Sequence, residues 1–237
     1  MLEVDLHTHS FFSACGIHTH LEILERAKSL GMTAVAITDH GPSLSPRFSD
    51  PFFDRLREPV KGIRLLKGME CNLVGENGEI DLPEKYRKYL DVVLLGIHPN
   101  TKKGQGRDRY TDMLLLAMEK NPAVDILTHL NDAAYPTNFE TVIKAARDLG
   151  IAVELNNSKT LLNRIDPVVT RELVAVALET GAKMAVTSDM HAIEELGLDD
   201  SVKPYLEEVS FPMERIITST AQRAFSFIEE RRSSKTA

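Results

Sequence analysis

At 237 residues, with 43% hydrophobic and 27% charged content, the chain lies in the range of ordinary folded domains, which excludes collagen-like, low-complexity and disordered readings. A formal charge of −7 repels a long polyanion on average and disfavours wrapping of duplex nucleic acid, while a small anionic substrate remains compatible if metal ions supply positive charge. Two cysteines, Cys15 and Cys71, are too few for a disulfide framework, and neither a basic leader nor a bilayer-length apolar run is visible, so the sequence reads as cytoplasmic with no membrane partner.

The first apolar run, 3–7, leads into "DLHTHS". Strand alternation puts His7 and His9 on one face, able to share an ion, with Asp5 expected one step deeper on that face to orient an imidazole. A second "HTH" at 18–20 precedes a helical run at 21–30 closed by Gly31. Thr19 reads as its N-cap, so His18 and His20 are expected to face solvent. A strand over 33–38 ends in "ITDH", with His40 at the strand end and Asp39 expected in a turn or behind the ligands. The segment 41–61, carrying Arg47, Phe48, Phe52 and Phe53, reads equally as a lid or as packing on the fold.

A strand over 64–68 runs into "GMECN", where Glu70 and Cys71 point to opposite sides. The strand at 91–97 ends in "GIHP", and the loop after it, "NTKKGQGRDR", carries Lys102, Lys103, Arg107 and Arg109. Either this loop grips an anionic substrate, with Arg107 as the expected contact, or it is a solvated basic loop. A helix over 111–120 follows, then a strand over 125–128 ending in "LTHL" with His129. Next come a helix opened by Asn138 and closed by Gly150, and a strand over 151–155 leading to Asn156, expected to reach the substrate. A helix over 167–180 closed by Gly181 precedes the last strand, 183–187, which ends in "TSDMH" with Asp189 and His191 two residues apart.

Alternating strand and helix over the whole length implies parallel strands with crossovers, as an open doubly wound sheet or a closed barrel, and no linker divides residues 1–237. Six of the eight histidines, His7, His9, His40, His98, His129 and His191, fall at strand ends. In parallel α/β architectures those ends share the face that holds the active site. Histidines satisfied in a core would not recur selectively there beside Glu70 and Asp189, so the set reads as metal-binding. The absence of a CxxC pair argues against thiolate-rich structural zinc. The number of nitrogen and carboxylate ligands exceeds the need of one tetrahedral ion and implies two or three divalent ions, zinc, manganese or iron. Glu70 is the candidate bridge. Bridged cations would lower the pKa of a shared water to about 7 and so supply a hydroxide nucleophile.

Taken together, "DLHTHS", "AITDHG", "GMECN", "GIHP", "LTHL", "LNNS" and "TSDMH" resemble the motifs of the polymerase-and-histidinol-phosphatase (PHP) superfamily, in order, from residue 2 to about residue 225. The chain is most similar to the family's small stand-alone bacterial phosphatases. The resemblance implies a single-domain, distorted seven-stranded (β/α) TIM-like barrel with a trinuclear centre, hydrolysing a small phosphorylated substrate through a metal-bridging hydroxide. Carried over position by position, His7, His9, Glu70 and Asp189 hold one ion, and Glu70, His98 and His129 a second. His40 and His191 hold a third with the residue standing at Cys15. The family often has histidine there, so this chain departs from the pattern, and His18 or His20 is the alternative ligand. Catalysis is expected to rest on Glu70, Asp189 and His98. Two other functions compete. An amidohydrolase-type hydrolase also begins with HxH, but resembles its relatives in a bridging modified lysine where this fourth strand has Gly96-Ile97-His98. A non-catalytic, metal-stabilised binding module is the other.

Overall fold

The computed structural model describes residues 1–45, 47–101 and 103–236. Seven strands, β1 (Val4–Asp5), β2 (Ala34–Ile37), β3 (Arg64–Asn72), β4 (Val92–Gly96), β5 (Ile126–Leu127), β6 (Ala152–Asn156) and β7 (Met184–Thr187), pair in chain order with every ladder parallel. β7 returns to the start through a bridge between Thr8 and Met190, where the His9 amide donates to the Met190 carbonyl at 2.8 Å. The result is a nearly closed barrel, the distorted (β/α) barrel that the sequence motifs imply.

Among the described residues eight α-helices accompany the strands: α1 (His20–Ser29), α2 (Asp50–Arg55), α3 (Arg107–Lys120), α4 (Phe139–Asp148), α5 (Asn157–Leu161), α6 (Pro167–Thr180), α7 (Lys203–Glu208) and α8 (Ala221–Thr236). Their starts are set by side chains. Thr19 caps α1 in a reciprocal box with Glu22, Asn138 accepts the Thr141 amide, and Asp166 caps α6 ahead of Pro167. Each such cap is worth about 1 kcal/mol.

Helices cover the strands outside and side chains fill them inside, so β2, β4, β6 and β7 are buried at every position, which their Ala, Val, Leu and Ile runs make favourable. Val4, Leu6, Leu66, Leu94 and Ile126 form the interior with Ala224, Phe227 and Ile228 of α8, which plugs the barrel floor. Arg231 latches that helix, bonding Asp125 at 3.1 Å and the carbonyls of Pro122, Val124 and Leu149.

The third strand is longer than the 64–68 predicted, reaching Asn72. Gly68 does not stop it. A Cβ there would lie 2.5 Å from Thr38 Cγ2, so the glycine lets β2 and β3 pack closely while the ladder continues and carries Glu70 within the sheet. Of the two readings of segment 41–61, packing holds for its aromatics. Phe53 is buried and stacks between Phe48 and Tyr89, and the Tyr86 hydroxyl donates to the Phe48 carbonyl. Among the described residues no helix is long and apolar enough to cross a membrane.

Candidate metal centre

Toward the carboxyl ends of the strands the buried positions turn from aliphatic to polar, with Thr38, Glu70, Thr128, Glu154 and Thr187 all fully or nearly fully buried. Above them the six strand-end histidines converge. Glu70 is the hub. Its Oε1 lies 3.4, 3.2 and 3.1 Å from the Nε2 atoms of His7, His98 and His129. Its Oε2 lies 3.4 Å from His9 Nε2 and 2.9 Å from His40 Nδ1. Asp189 Oδ1 sits 3.4 Å from His7 Nε2 and 3.2 Å from His9 Nε2. Three clusters have ligand atoms mutually within 4.8 Å: His7, His9 and Asp189; His40, Glu70 and His98; and His9, Cys15, His40 and His191.

This donor set fits divalent cations. His7 and His9 aim Nε2 at Nε2 across 3.1 Å, and His98 and His129 do so across 3.2 Å. A hydrogen bond can satisfy each such pair only with one nitrogen protonated, whereas a cation accepts both lone pairs. His98 Nδ1 is also buried without a partner. Gly96 makes the room, because a Cβ at that position would stand 2.6 Å from His98 Cε1 and 2.9 Å from His129 Cε1. Two candidate ligands hold left-handed backbone, His129 at φ 34° and Asp189 at φ 52°, a cost that clusters at functional sites.

Residues behind the candidate ligands fix their tautomers. His7 Nδ1 meets Glu154 Oε1 at 2.5 Å, His9 Nδ1 meets Ser13 Oγ at 3.1 Å, and His191 Nδ1 meets the Asp189 carbonyl at 2.8 Å. With Nδ1 donating in each case, Nε2 offers its lone pair inward. Glu154 is itself held by Thr187 Oγ1 at 2.6 Å, the His129 amide at 2.7 Å and Asn156 Nδ2 at 3.2 Å. Ser13 is held by Asp39, which also accepts from both the amide and the hydroxyl of Ser10. Burial alone would raise the Asp39 pKa, but its hydrogen bonds with His20, Ser10 and Ser13 outweigh it and hold the group at about 2.

Several expectations are corrected. Asp5 does not touch an imidazole. Strand alternation slips after Leu6, so Leu6 and His7 both turn inward, while Asp5 faces away and accepts from the amides of His7, Ser188 and Gly197. The carboxylate that orients His7 is Glu154, legible in the sequence only as an acid two residues before Asn156. Asn156, expected at the substrate, is buried and donates to Glu154 and Asp189 while its side-chain carbonyl caps α5. Arg107 is exposed on the first turn of α3 and does not line the cavity, Arg109 pairs with Glu76, Lys103 is exposed, and Lys102 lies outside the described residues. The cations at the mouth are Lys159 and Arg164, from the β6–α6 connection. Neither His18 nor His20 is fully solvent-facing. Both are half-buried, and His20 bonds Ser10 Oγ at 2.9 Å and stacks on Phe12.

The cluster opens into a cavity of about 400 Å³ lined by His9, Cys15, His40, Glu70, His98, His129, Asp189 and His191 on one side and by Ser158, Lys159, Leu162, Arg164 and Glu195 on the other. A larger groove of about 610 Å³ by the barrel floor, lined by Glu3, Lys183, Arg223 and Glu230 among others, has no histidine in its wall. Chemistry, not volume, selects the site.

The PHP-domain family model matches residues 5–158, a span that holds seven of the nine candidate ligands. The chain belongs to the PHP domain family. A probable phosphatase of Caldanaerobacter subterraneus subsp. tengcongensis is 32% identical over 240 residues, covering 98% of this PHP chain and 92% of that protein. Among solved structures, the histidinol phosphate phosphatase of Lactococcus lactis subsp. lactis, determined with zinc, L-histidinol and phosphate, matches with a TM-score of 0.61 at 14% identity, over 88% of this chain and 94% of that one. A chain from the archaeal ribonuclease P complex with mature tRNA matches with a TM-score of 0.65 at 15% identity, over 96% and 90%. The two structural likenesses speak to the PHP barrel alone.

Two predictions follow from this geometry. Glu154→Gln puts an amide nitrogen against either the His7 Nδ1 donor or the His129 amide. It is expected to weaken metal binding by about 10–100-fold with the fold kept, as read by competition with a chromogenic chelator; unchanged affinity would remove Glu154 from the site. The second concerns protons. Burial would lower the His40 pKa, but the Glu70 carboxylate outweighs it and raises it to about 10; His191, likewise buried and next to Cys15 and Asp189, is raised to about 9. Both therefore carry a proton at pH 7 without metal and must lose it to ligate. Metal binding is expected to release protons at pH 7 and to tighten as pH rises, measurable as a buffer-dependent calorimetric enthalpy. A buffer-independent enthalpy would contradict it.

Proposed function

We propose that this chain is a metal-dependent phosphoesterase that hydrolyses a small phosphomonoester at a trinuclear centre, the whole chain acting as one barrel domain. The observation that carries the reading is Glu70, one buried carboxylate with both oxygens ringed by five imidazoles at the carboxyl end of a parallel barrel. The probable-phosphatase relative, aligned over nearly its full length, supports the same activity.

His7, His9 and Asp189 would hold one divalent ion, His98 and His129 a second, with Glu70 between them, and Cys15, His40 and His191 a third. Such ions supply a hydroxide nucleophile at neutral pH and positive charge for the phosphoryl oxygens. The protein's own groups do the rest. Glu154, Ser13 and the Asp189 carbonyl hold Nδ1 of His7, His9 and His191 as the donor, so that Nε2 is the nitrogen aimed inward to ligate. Asn156 Nδ2, 2.8 Å from Asp189 Oδ2, leaves Oδ1 facing the histidines. Lys159 and Arg164 stand at the mouth as the cations for phosphate, with the Lys159 ammonium 3.2 Å from Asp132. Leu162 offers an apolar wall to the leaving group.

The test is a panel of phosphomonoesters (a chromogenic aryl phosphate, sugar phosphates, a nucleotide, histidinol phosphate) run on protein reconstituted with zinc, manganese or iron, with an aryl ester and a lactone as non-phosphate controls. Turnover confined to phosphomonoesters is expected. Turnover of the lactone alone would favour the amidohydrolase-type chemistry, and metal loading with no turnover a binding module. His98→Ala is expected to lower activity at least about a hundredfold with an unchanged circular dichroism spectrum, because the residue lies on a cavity wall. Wild-type turnover in the metal-verified variant would refute its role.

A further inference from the structure

The three candidate positions differ in chemistry. The two inner ones present only imidazole nitrogen and carboxylate oxygen, from side chains that are at most 9% exposed. The outer one includes sulfur. Cys15 lies on the exposed loop between β1 and α1, and its thiol joins His9, His40 and His191 in a group whose ligand atoms lie within 4.8 Å of one another. His9 Nε2 also groups with His7 and Asp189, 3.1 and 3.2 Å away, and one lone pair serves one ion, so His9 is assigned to the inner position; His40, whose Nδ1 lies 2.9 Å from Glu70, adjoins both and is assigned with Cys15 and His191 to the outer one. The loop is tied to that set, because the Ile17 amide donates to the His191 carbonyl at 3.2 Å and the His40 amide to Ser13 Oγ at 3.0 Å.

We propose that Cys15, with His40 and His191, makes the outer position a thiolate-containing site that takes zinc, cobalt or ferrous iron in preference to manganese or magnesium, and that it loads and empties separately from the two buried positions. Softness is the first reason. A thiolate adds strongly to affinity for zinc-like ions and little for the hard ions that carboxylate suits. Access is the second. The outer ligands include an exposed cysteine and His191, whose side chain is 34% exposed, whereas Glu70 at the inner positions is 1% exposed. Two imidazoles and one thiolate would supply three ligands at the edge of the cavity, fewer than the four of a closed structural site. The protein would then be a mixed-metal protein whose outer ion follows the supply of thiophilic metal.

This inference rests on the reading that the cluster holds divalent ions, and spectroscopy separates the two. Chelator-stripped full-length protein is titrated with cobalt(II), following absorption and bound cobalt by elemental analysis. A near-ultraviolet thiolate-to-cobalt charge-transfer band is expected, arising in a phase distinct from the visible bands of nitrogen- and oxygen-bound cobalt. Cys15→Ser is expected to lose the band and one cobalt per chain. Cys15→His should keep the cobalt without the band and bind one more manganese than wild type. Cys71 is no rival source, being buried among Leu73, Val93 and Leu95. Cobalt bound without a charge-transfer band, a band surviving in Cys15→Ser, or equal manganese in wild type and Cys15→His would each overturn the proposal while leaving the metal reading intact. No cobalt bound at all would overturn both.

Discussion

Glu70→Gln is expected to lower phosphomonoester turnover by about a thousandfold, equivalent to roughly 4 kcal/mol of transition-state stabilisation. The substitution is nearly isosteric, so packing around β3 survives, but it removes the one charge toward which five imidazoles point. Burial alone would raise the Glu70 pKa, yet the surrounding histidines, His98 foremost, hold it well below the usual carboxylate range. The group is therefore ionised throughout the neutral range, able to take two cations at once through its two oxygens. An amide offers one oxygen and turns its nitrogen toward either His40 or His98. Purified Glu70→Gln protein should show both the lost turnover and a lower metal content. Wild-type turnover with full metal would show that Glu70 is not the hub, and lost turnover with full metal would assign it a role in chemistry without a role in binding.

The second large effect is expected on metal removal. Any ligand that binds only the folded state stabilises it by RT ln(1 + [L]/Kd), about 4 kcal/mol at a free concentration a thousand times Kd. For a chain of this length that amounts to a fall of about 10 °C in Tm after chelation. The stripped protein should stay folded. Its carboxylates and imidazoles neutralise one another, as the pairing of His7 with Asp189, Glu154 and Glu70 illustrates, where those charges outweigh burial and raise the imidazole pKa. Activity should vanish on chelation and return with metal. A melting temperature indifferent to chelator, in protein shown to have carried metal beforehand, would mean that the strand-end cluster is not where metal binds.

Much of this site was legible before the fold was known, and for a physical reason. Metal ligands are chosen by element and charge, so His and acid at strand ends carry the signal in their identity, and a parallel barrel brings all strand ends to one face whatever the crossing details. That is enough to mark His7, His9, His40, Glu70, His98, His129, Asp189 and His191 as candidate ligands, and the fold brings them together. The residues behind them were less legible. Glu154 looks like any acid in a strand, and Ser13 like any loop serine; only a contact across 147 residues, from Glu154 Oε1 to His7 Nδ1, reveals the first. Asp5 was misplaced because a two-residue periodicity assumes an unbroken strand, and β1 ends at Asp5.

The order and number of strands, the parallel architecture and the set of candidate ligands at the strand ends were determined by the sequence itself, since hydrophobic runs, helix caps and histidine placement are local properties. Which cations guard the mouth, which acid steadies His7 and which candidate ligands lie within reach of one another were decided only in the tertiary structure. The loop after β4 is the more basic in composition, yet Lys159 and Arg164 are the cations lining the cavity, because a loop's path depends on what it packs against and not on its own charge. Glu70 shows the same division. Its carboxylate chemistry is written in the chain, whereas its place between His40 and His98, 2.9 and 3.2 Å away, exists only once the barrel has rolled up.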